Sequence, residues 1–251
     1  MFCATAHSAN NCMQEERTAP AVLLENVFFK WSKDQKPLLD IPAFTVEPGE
    51  QVFIQGSSGT GKSTLLNLIA GILLPQTGTI ALNGCKLHTM NSAQRDLYRG
   101  DHIGFIFQQF NLIPYLSVLE NVLLPVKLSK IRAQRCIKSH GSVVEQAHKL
   151  LASVQLDASL WTRPTRMLSV GQQQRVACAR ALIGQPDLLI ADEPTSALDE
   201  DRRQIFLELL LTQCTQVNAT LLFVSHDRTI SDFFKRRIDL KSINRAYRHV
   251  A

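Results

Sequence analysis

Gly56-Ser57-Ser58-Gly59-Thr60-Gly61-Lys62-Ser63-Thr64 fits the pattern G-x-x-x-x-G-K-[ST], and its flanks decide the fold. Gln51-Val52-Phe53-Ile54-Gln55, just before it, is an apolar run of strand length, and Thr64 to Ile72, just after it, carries the apolar spacing of a helix. A strand, a glycine-rich turn and a helix in that order turn several backbone N–H groups toward one point at the positive end of a helix dipole, where phosphate oxygens bind. Lys62 adds a mobile point charge for β- and γ-phosphates, and the Ser63 hydroxyl is a ligand suited to Mg2+, which otherwise keeps water and phosphate oxygens. Taken alone, the same residues also read as a Gly/Ser-rich turn.

Further along, Pro186-Asp187-Leu188-Leu189-Ile190-Ala191-Asp192-Glu193-Pro194 is a second buried strand, ending on two adjacent carboxylates. A parallel strand delivers such residues to the carboxyl edge of the sheet, where the glycine-rich loop also lies. Asp192 is suited to hold Mg2+ through its water shell, and Glu193, facing differently, to orient and deprotonate a water molecule. An acidic cap or turn is the competing reading of the pair. Leu168-Ser169-Val170-Gly171-Gln172-Gln173-Gln174-Arg175 precedes a helical stretch over Val176 to Ile183, which places Ser169 as its cap with N–H groups open to an anion.

With these residues the chain resembles the ATP-binding subunits of ABC transporters over about residues 22 to 240. Their signature is commonly L-S-G-G-Q; the third position here is Val170. The resemblance continues in Phe107-Gln108, followed by Gln109-Phe110-Asn111, in Ser196-Ala197-Leu198-Asp199 and in Val224-Ser225-His226-Asp227. It implies that Gln108 touches Mg2+ and the attacking water and senses a membrane partner, that the 196–199 loop crosses to another subunit, and that His226 contacts the γ-phosphate. Trp31 stands where the family stacks an aromatic ring on adenine; packing in a strand core beside Phe28 and Phe29 is the alternative.

The same resemblance implies a homodimer closed head to tail around two MgATP. Each site then uses residues 56–64, Gln108, Asp192, Glu193 and His226 of one copy with Ser169, Val170, Gly171 and Gln172 of the other, and Asp199 in the crossing loop. The partner implied is an integral membrane permease, with this chain peripheral on the cytoplasmic face of the plasma membrane. The wording from Gly104 to Val122 is most similar to ATPases of lipoprotein-releasing and macrolide-export systems and their cell-division relatives, whose permeases transmit force. Export and mechanical control of an extracytoplasmic enzyme without transport both stay open.

The expected fold is α/β: a P-loop NTPase core with a parallel sheet, an N-terminal antiparallel β subdomain and an inserted α-helical subdomain at about 92–166. The domain is expected over 21–245, after a flexible extension at 1–20 and before a tail at 246–251. Strands are expected at Val22 to Trp31, Phe44 to Val46, Thr79 to Asn83, Leu188 to Ala191 and Leu221 to Val224, with helices at Val143 to Val154 and Asp201 to Cys214. Pro114, Pro125 and the Ser139–Ser142 break are expected to interrupt the helical part. The basic stretch Ser129 to Gly141, with Lys130, Arg132, Arg135 and Lys138, reads as a solvated helix, with contact to a membrane surface as the alternative.

The 251 residues, 45% of them hydrophobic, suffice for one such core. No apolar run approaches the roughly 18 residues of a membrane span, and residues 1–20 lack a secretory apolar stretch, so a cytoplasmic location is expected. Six cysteines without a C-x-x-C pair indicate neither a zinc site nor a disulfide framework. A net charge of +5 without a dense basic stripe argues against nucleic acid as partner and suits life near an anionic bilayer.

Overall fold

The structure is a computed structural model that describes residues 19–57, 59–196 and 198–247; Ser58, Ala197, most of the expected N-terminal extension and the last four residues lie outside the described residues. The chain runs β1 (Val22–Phe29), β2 (Leu39–Val46), β3 (Gln51–Gln55), α1 (Lys62–Ile69), β4 (Thr77–Leu82), β5 (Cys85–Lys86), α2 (Ser92–His102) and β6 (Ile103–Ile106). It continues through α3 (Val118–Leu128), α4 (Lys130–His140), α5 (Val143–Ser153), α6 (Val170–Leu182), β7 (Leu188–Asp192), α7 (Glu200–Gln216), β8 (Thr220–Ser225), β9 (Arg236–Asp239) and α8 (Leu240–Ile243).

Two sheets result. β2-β1-β4-β5 is antiparallel, and β6-β7-β8-β3-β9 is parallel throughout. β6, β7, β8 and β3 are apolar at most positions because both faces are covered, whereas the edge strand β9 is mostly charged and partly exposed. Phe53, Leu189, Ala191, Leu221 and Phe223 face one core, shared with α3, α5, α6 and α7. Their alternates Val52, Ile54, Leu188, Ile190, Leu222 and Val224 face the other, shared with α1 and the antiparallel sheet. Phe53, Phe223 and Phe234 form an aromatic cluster with centroids 5.2–6.2 Å apart. The α/β architecture expected from the sequence is the one found.

The details differ in three places. Within 92–166, Ile103–Ile106 is a strand that pairs in parallel with β7, so it belongs to the core sheet. Its four residues are too few for a periodic signal, and its partner lies far along the chain. Gly104 makes the fit possible: a Cβ there would stand 2.3 Å from the Ala181 carbonyl oxygen. Pro125 lies inside α3 rather than breaking it. It withholds the N–H that would reach Asn121, yet α3 starts on a Ser117/Glu120 capping box and closes with the Ser129 N–H donating to the Pro125 carbonyl at 2.9 Å.

The basic stretch is the third. Lys130 and Lys138 are exposed, but Arg132 is 1% exposed and donates to the Ile183 carbonyl at 3.2 Å. Burial pushes its guanidinium down to about 10. Arg135 donates to the Gln185 carbonyl at 2.7 Å and to Asp187 Oδ2 at 3.2 Å, an oxygen that His102 Nδ1 meets at 2.5 Å. Two of the four cations thus pin α4 to the turn before β7, and a helix solvated all round is not what forms. His148 stacks on Trp161 with centroids 4.7 Å apart. Among the described cysteines Cys136, Cys178 and Cys214 are buried and free, whereas Cys85 is not free. No helix among the described residues is long and apolar enough to cross a membrane.

Candidate active site

Because β6, β7, β8 and β3 are parallel neighbours, the segments that leave their carboxyl ends meet along one edge. The loop after β3 turns through Gly59 at φ 78° and Gly61 at φ 85°, values that a Cβ resists, and Gly61 opens α1. The Thr60 hydroxyl donates to the Ser57 carbonyl at 2.7 Å and braces the turn.

Lys62 is 6% exposed. Its Nζ donates to the carbonyls of Gly56 at 2.8 Å and Ser57 at 3.1 Å, and lies 3.3 Å from Glu193 Oε1. The other oxygen of Glu193 is 2.9 Å from His226 Nδ1. With Glu193 ionised, Nδ1–H donates and the imidazole is held in one orientation. Glu193 itself sits at φ 48°, a left-handed conformation of a non-glycine residue, while its N–H donates to the Val224 carbonyl at 2.9 Å. Such a conformation costs of order 1–3 kcal/mol and persists only where the surroundings over-determine it. It turns the carboxylate away from the strand, toward Lys62 and His226.

Asp192, the last residue of β7, shares a hydrogen bond with the Ser63 hydroxyl. Burial raises its carboxyl above the usual range; the neighbouring Glu193 charge pushes the same way, and Ser63 and Lys62 oppose. A carboxylate with a raised folded-state value stabilises the fold at low pH and loses that contribution as pH rises through its titration, so ionised Asp192 costs stability at neutral pH. Asp192→Asn is therefore expected to raise the Tm of the protein without nucleotide by a few degrees at pH 7, with the gap narrowing toward pH 4. A thermal melt series reads it; a lowered Tm at pH 7 would show that the charged bond to Ser63 outweighs burial.

The remaining residues singled out in the sequence stand outside this bonded cluster. Gln108 is exposed, next to Phe107, which stacks on Phe105 with centroids 5.1 Å apart. Trp31 falls beyond the end of β1, 60% exposed, with its ring edge-on to Phe29 at 5.1 Å, so it does not pack in the strand core. Ser169 caps α6 in a capping box with Gln172, as its position in the sequence implied. Ser169, Gly171 and Gln172 line a different cavity of about 410 Å³ together with Leu198, Arg202 and Phe206, and Val170 is exposed beside it. Asp199 caps α7 and pairs with Arg202 at 3.3 Å. Within one chain, none of these makes a hydrogen bond or ion pair with Lys62, Ser63, Asp192, Glu193 or His226 among the described residues.

Three supporting residues escaped the sequence reading. Arg180 donates to the carbonyls of Phe110 at 2.5 Å and Asn111 at 2.7 Å, both in left-handed conformations, and so sets the course of the loop after Gln108. Gln174, 1% exposed, donates to the Pro194 carbonyl at 2.8 Å. Arg203 pairs with Asp227. Each looks like an ordinary polar helix residue in the sequence.

A phosphate-type loop, a strand-end acid pair and a histidine gathered on one edge, with an antiparallel sheet on one flank and inserted helices on the other, define an ATP-binding cassette, an ATPase. The family model for the ABC transporter matches residues 39–196, and the chain belongs to that family. It is 41% identical over 88% of its length to an uncharacterized ABC transporter ATP-binding protein of Mycobacterium tuberculosis, of which 87% is covered. It is 39% identical over 79% of its length to the lipoprotein-releasing system ATP-binding protein LolD of Buchnera aphidicola, covering 83% of that protein. Among solved structures, the ATP-binding cassette MJ0796, a dimer in a post-hydrolysis state bound to ADP and Pi, superposes with a TM-score of 0.73 at 35% identity, over 87% of this chain and 93% of that one. The chain is thus an ATP-binding, ATP-hydrolysing subunit of the ABC type, in the subfamily of the LolD and MacB ATPases.

Proposed function

We propose that two copies of this chain close around two MgATP on the cytoplasmic face of the plasma membrane and drive a force-transmitting permease of the lipoprotein-release or macrolide-export type. The observation that carries this reading is Glu193, held between Lys62 and His226 at the edge where Ser63 and Asp192 also meet. The likeness to a dimeric cassette and to a lipoprotein-releasing ATPase supports the dimer and the kind of partner. The ATPase domain is taken as 21–245, its helical subdomain lying within 92–166 apart from β6.

ATP binds with its phosphates on the N–H groups of residues 56–64, and Trp31, exposed and free on one face, stacks on adenine. A γ-phosphate is a stronger partner for Lys62 than the Gly56 and Ser57 carbonyls, and its arrival draws the ammonium off Glu193. Glu193 then takes a proton from the attacking water, with His226 holding the carboxylate in place and reaching the γ-phosphate. Ser63 and Asp192 are two hard oxygen donors already in contact, a pair that fits Mg2+, with Gln108 completing the protein side. When bound, that ion neutralises charge building on the phosphates. Ser169, Val170, Gly171 and Gln172 of the second copy present a helix N-terminus to the same nucleotide, and Asp199 lies in the loop that crosses between copies. ATP therefore joins the two copies, and loss of the γ-phosphate releases them, which is a two-state device able to do work on a partner.

Tagged Glu193→Gln protein, purified from membranes with ATP and Mg2+ present, tests the assembly. A copurifying integral membrane chain with a large extracytoplasmic domain is expected. Recovery of a many-span channel-like permease would move the chain to conventional transport, and recovery of soluble or ribosomal partners alone would overturn the membrane reading.

A further inference from the structure

We propose that Arg203 is a positioning residue for ATP hydrolysis, which ties the backbone at Leu198 to Asp227 and so governs the placement of His226 on Glu193. The inference rests on the ATPase reading above and deepens it.

Arg203 lies in the first turn of α7, and its guanidinium forks. Nη1 pairs with Asp227 Oδ2, and Nη2 donates to the Leu198 carbonyl at 3.2 Å; both charged side chains are only 23% exposed. Nε is buried with no partner in the structure, so the group is committed to these two contacts. The two ends of the fork hold different loops. Leu198 belongs to the loop that follows Glu193, where the Leu198 N–H donates to the Thr195 carbonyl at 3.1 Å and the Ser196 N–H to the Glu193 carbonyl at 3.2 Å.

Asp227 immediately follows His226. Its second carboxylate oxygen accepts from the Thr229 N–H at 2.9 Å and hydroxyl at 2.8 Å, and its own N–H donates to the hydroxyl of Ser225, the buried last residue of β8, at 3.1 Å. His226 is therefore held on both sides. The bonds form a closed ring: Glu193 to Ser196, the adjacent Thr195 to Leu198, across Arg203 to Asp227, and through His226 Nδ1 at 2.9 Å back to Glu193 Oε2. Two of these links cross between the segments that follow β7 and β8: the His226–Glu193 bond at the reacting end, and the Arg203 fork behind it. A shift of Leu198, next to the Asp199 that faces a second copy in the proposed dimer, is carried by the fork to Asp227, the residue that follows His226. A lysine cannot reproduce the fork, since a single ammonium on a flexible stem does not hold a carboxylate and a carbonyl in fixed geometry. The adjacent Arg202 offers no such link: it is exposed and pairs with Asp199 on the surface.

The test uses the full-length protein and compares wild type with Arg203→Met, Arg203→Lys, Asp227→Asn and the double variant Arg203→Met/Asp227→Asn. The readouts are kcat and KM for ATP, ATP affinity by a binding titration, and Tm. Misplacing a reacting group by about 1 Å costs on the order of 100-fold, so Arg203→Met is expected to lower kcat by roughly 10- to 100-fold with ATP affinity within about twofold of wild type. Asp227→Asn should do the same, the double variant no worse than either single one because the two act as a unit, and Arg203→Lys should recover only part of kcat. Unchanged kcat in Arg203→Met, a loss of ATP affinity and Tm in proportion to kcat, or additive effects in the double variant would each overturn the assignment. Should Arg203→Met fail to fold, Asp227→Asn and Arg203→Lys carry the same kcat-against-affinity comparison. A wild-type protein that binds ATP without hydrolysing it would instead sink the ATPase reading itself, an outcome separate from normal turnover in the Arg203 variants.

Discussion

Glu193→Gln is expected to lower kcat for ATP hydrolysis by about 10²- to 10⁴-fold, the range spanned by a positioned general base, while ATP still binds. The substitution is nearly isosteric, so the amide occupies the same left-handed turn beside Lys62 and His226 but accepts no proton from water. With hydrolysis stopped and the γ-phosphate retained, the protein should run as a dimer in ATP and Mg2+ and as a monomer without them, which size-exclusion chromatography reads directly. Turnover within threefold of wild type would remove Glu193 from the role of base and return the Asp192-Glu193 pair to an acidic turn.

Lys62→Ala should act earlier, on binding. Charge-assisted hydrogen bonds contribute about 1.5–3 kcal/mol each, so losing the ammonium is expected to weaken ATP affinity by roughly 10- to 150-fold, measurable by titration calorimetry. The fold should tolerate the change, because the carbonyls of Gly56 and Ser57 and the carboxylate of Glu193 sit at an edge that water reaches once the side chain is gone. Undiminished affinity with a wild-type Tm would count against the phosphate-loop assignment. The two variants separate cleanly: one keeps ATP and loses chemistry, the other loses ATP.

The split between what was readable in the sequence and what was not follows the range of the interactions. The glycine-rich turn is readable because its work is local: Gly59 and Gly61 supply positive φ within three residues, and Ser169 and Gln172 close a capping box within one helical turn. The apolar runs 51–55, 188–191 and 221–224 are likewise readable as strands, since burial on both faces leaves no alternation to disguise them. β6 was not, because four residues carry no period, and neither was the fate of Pro125, because a capping box elsewhere in α3 compensates for it.

The chain's own order of residues thus determined the class of fold and which side chains come to the ends of the parallel strands, through periodicity, turn chemistry and contiguous motifs. Tertiary structure alone decided what those side chains meet. Glu193 contacts a lysine 131 positions earlier and a histidine 33 positions later in the numbering, and its left-handed turn is imposed by a bond to Val224. Arg132, buried, and Arg135, half-buried, are props rather than a solvated stripe because the turn before β7 offers carbonyls and Asp187, while Lys130 and Lys138 stay exposed. Arg180 reaches 69–70 residues back to the loop after Gln108, and Arg203 reaches 24 forward to Asp227. An arginine in a sequence is a charge on a long stem, and only packing decides whether that charge is spent on solvent or on a backbone that has to be held still.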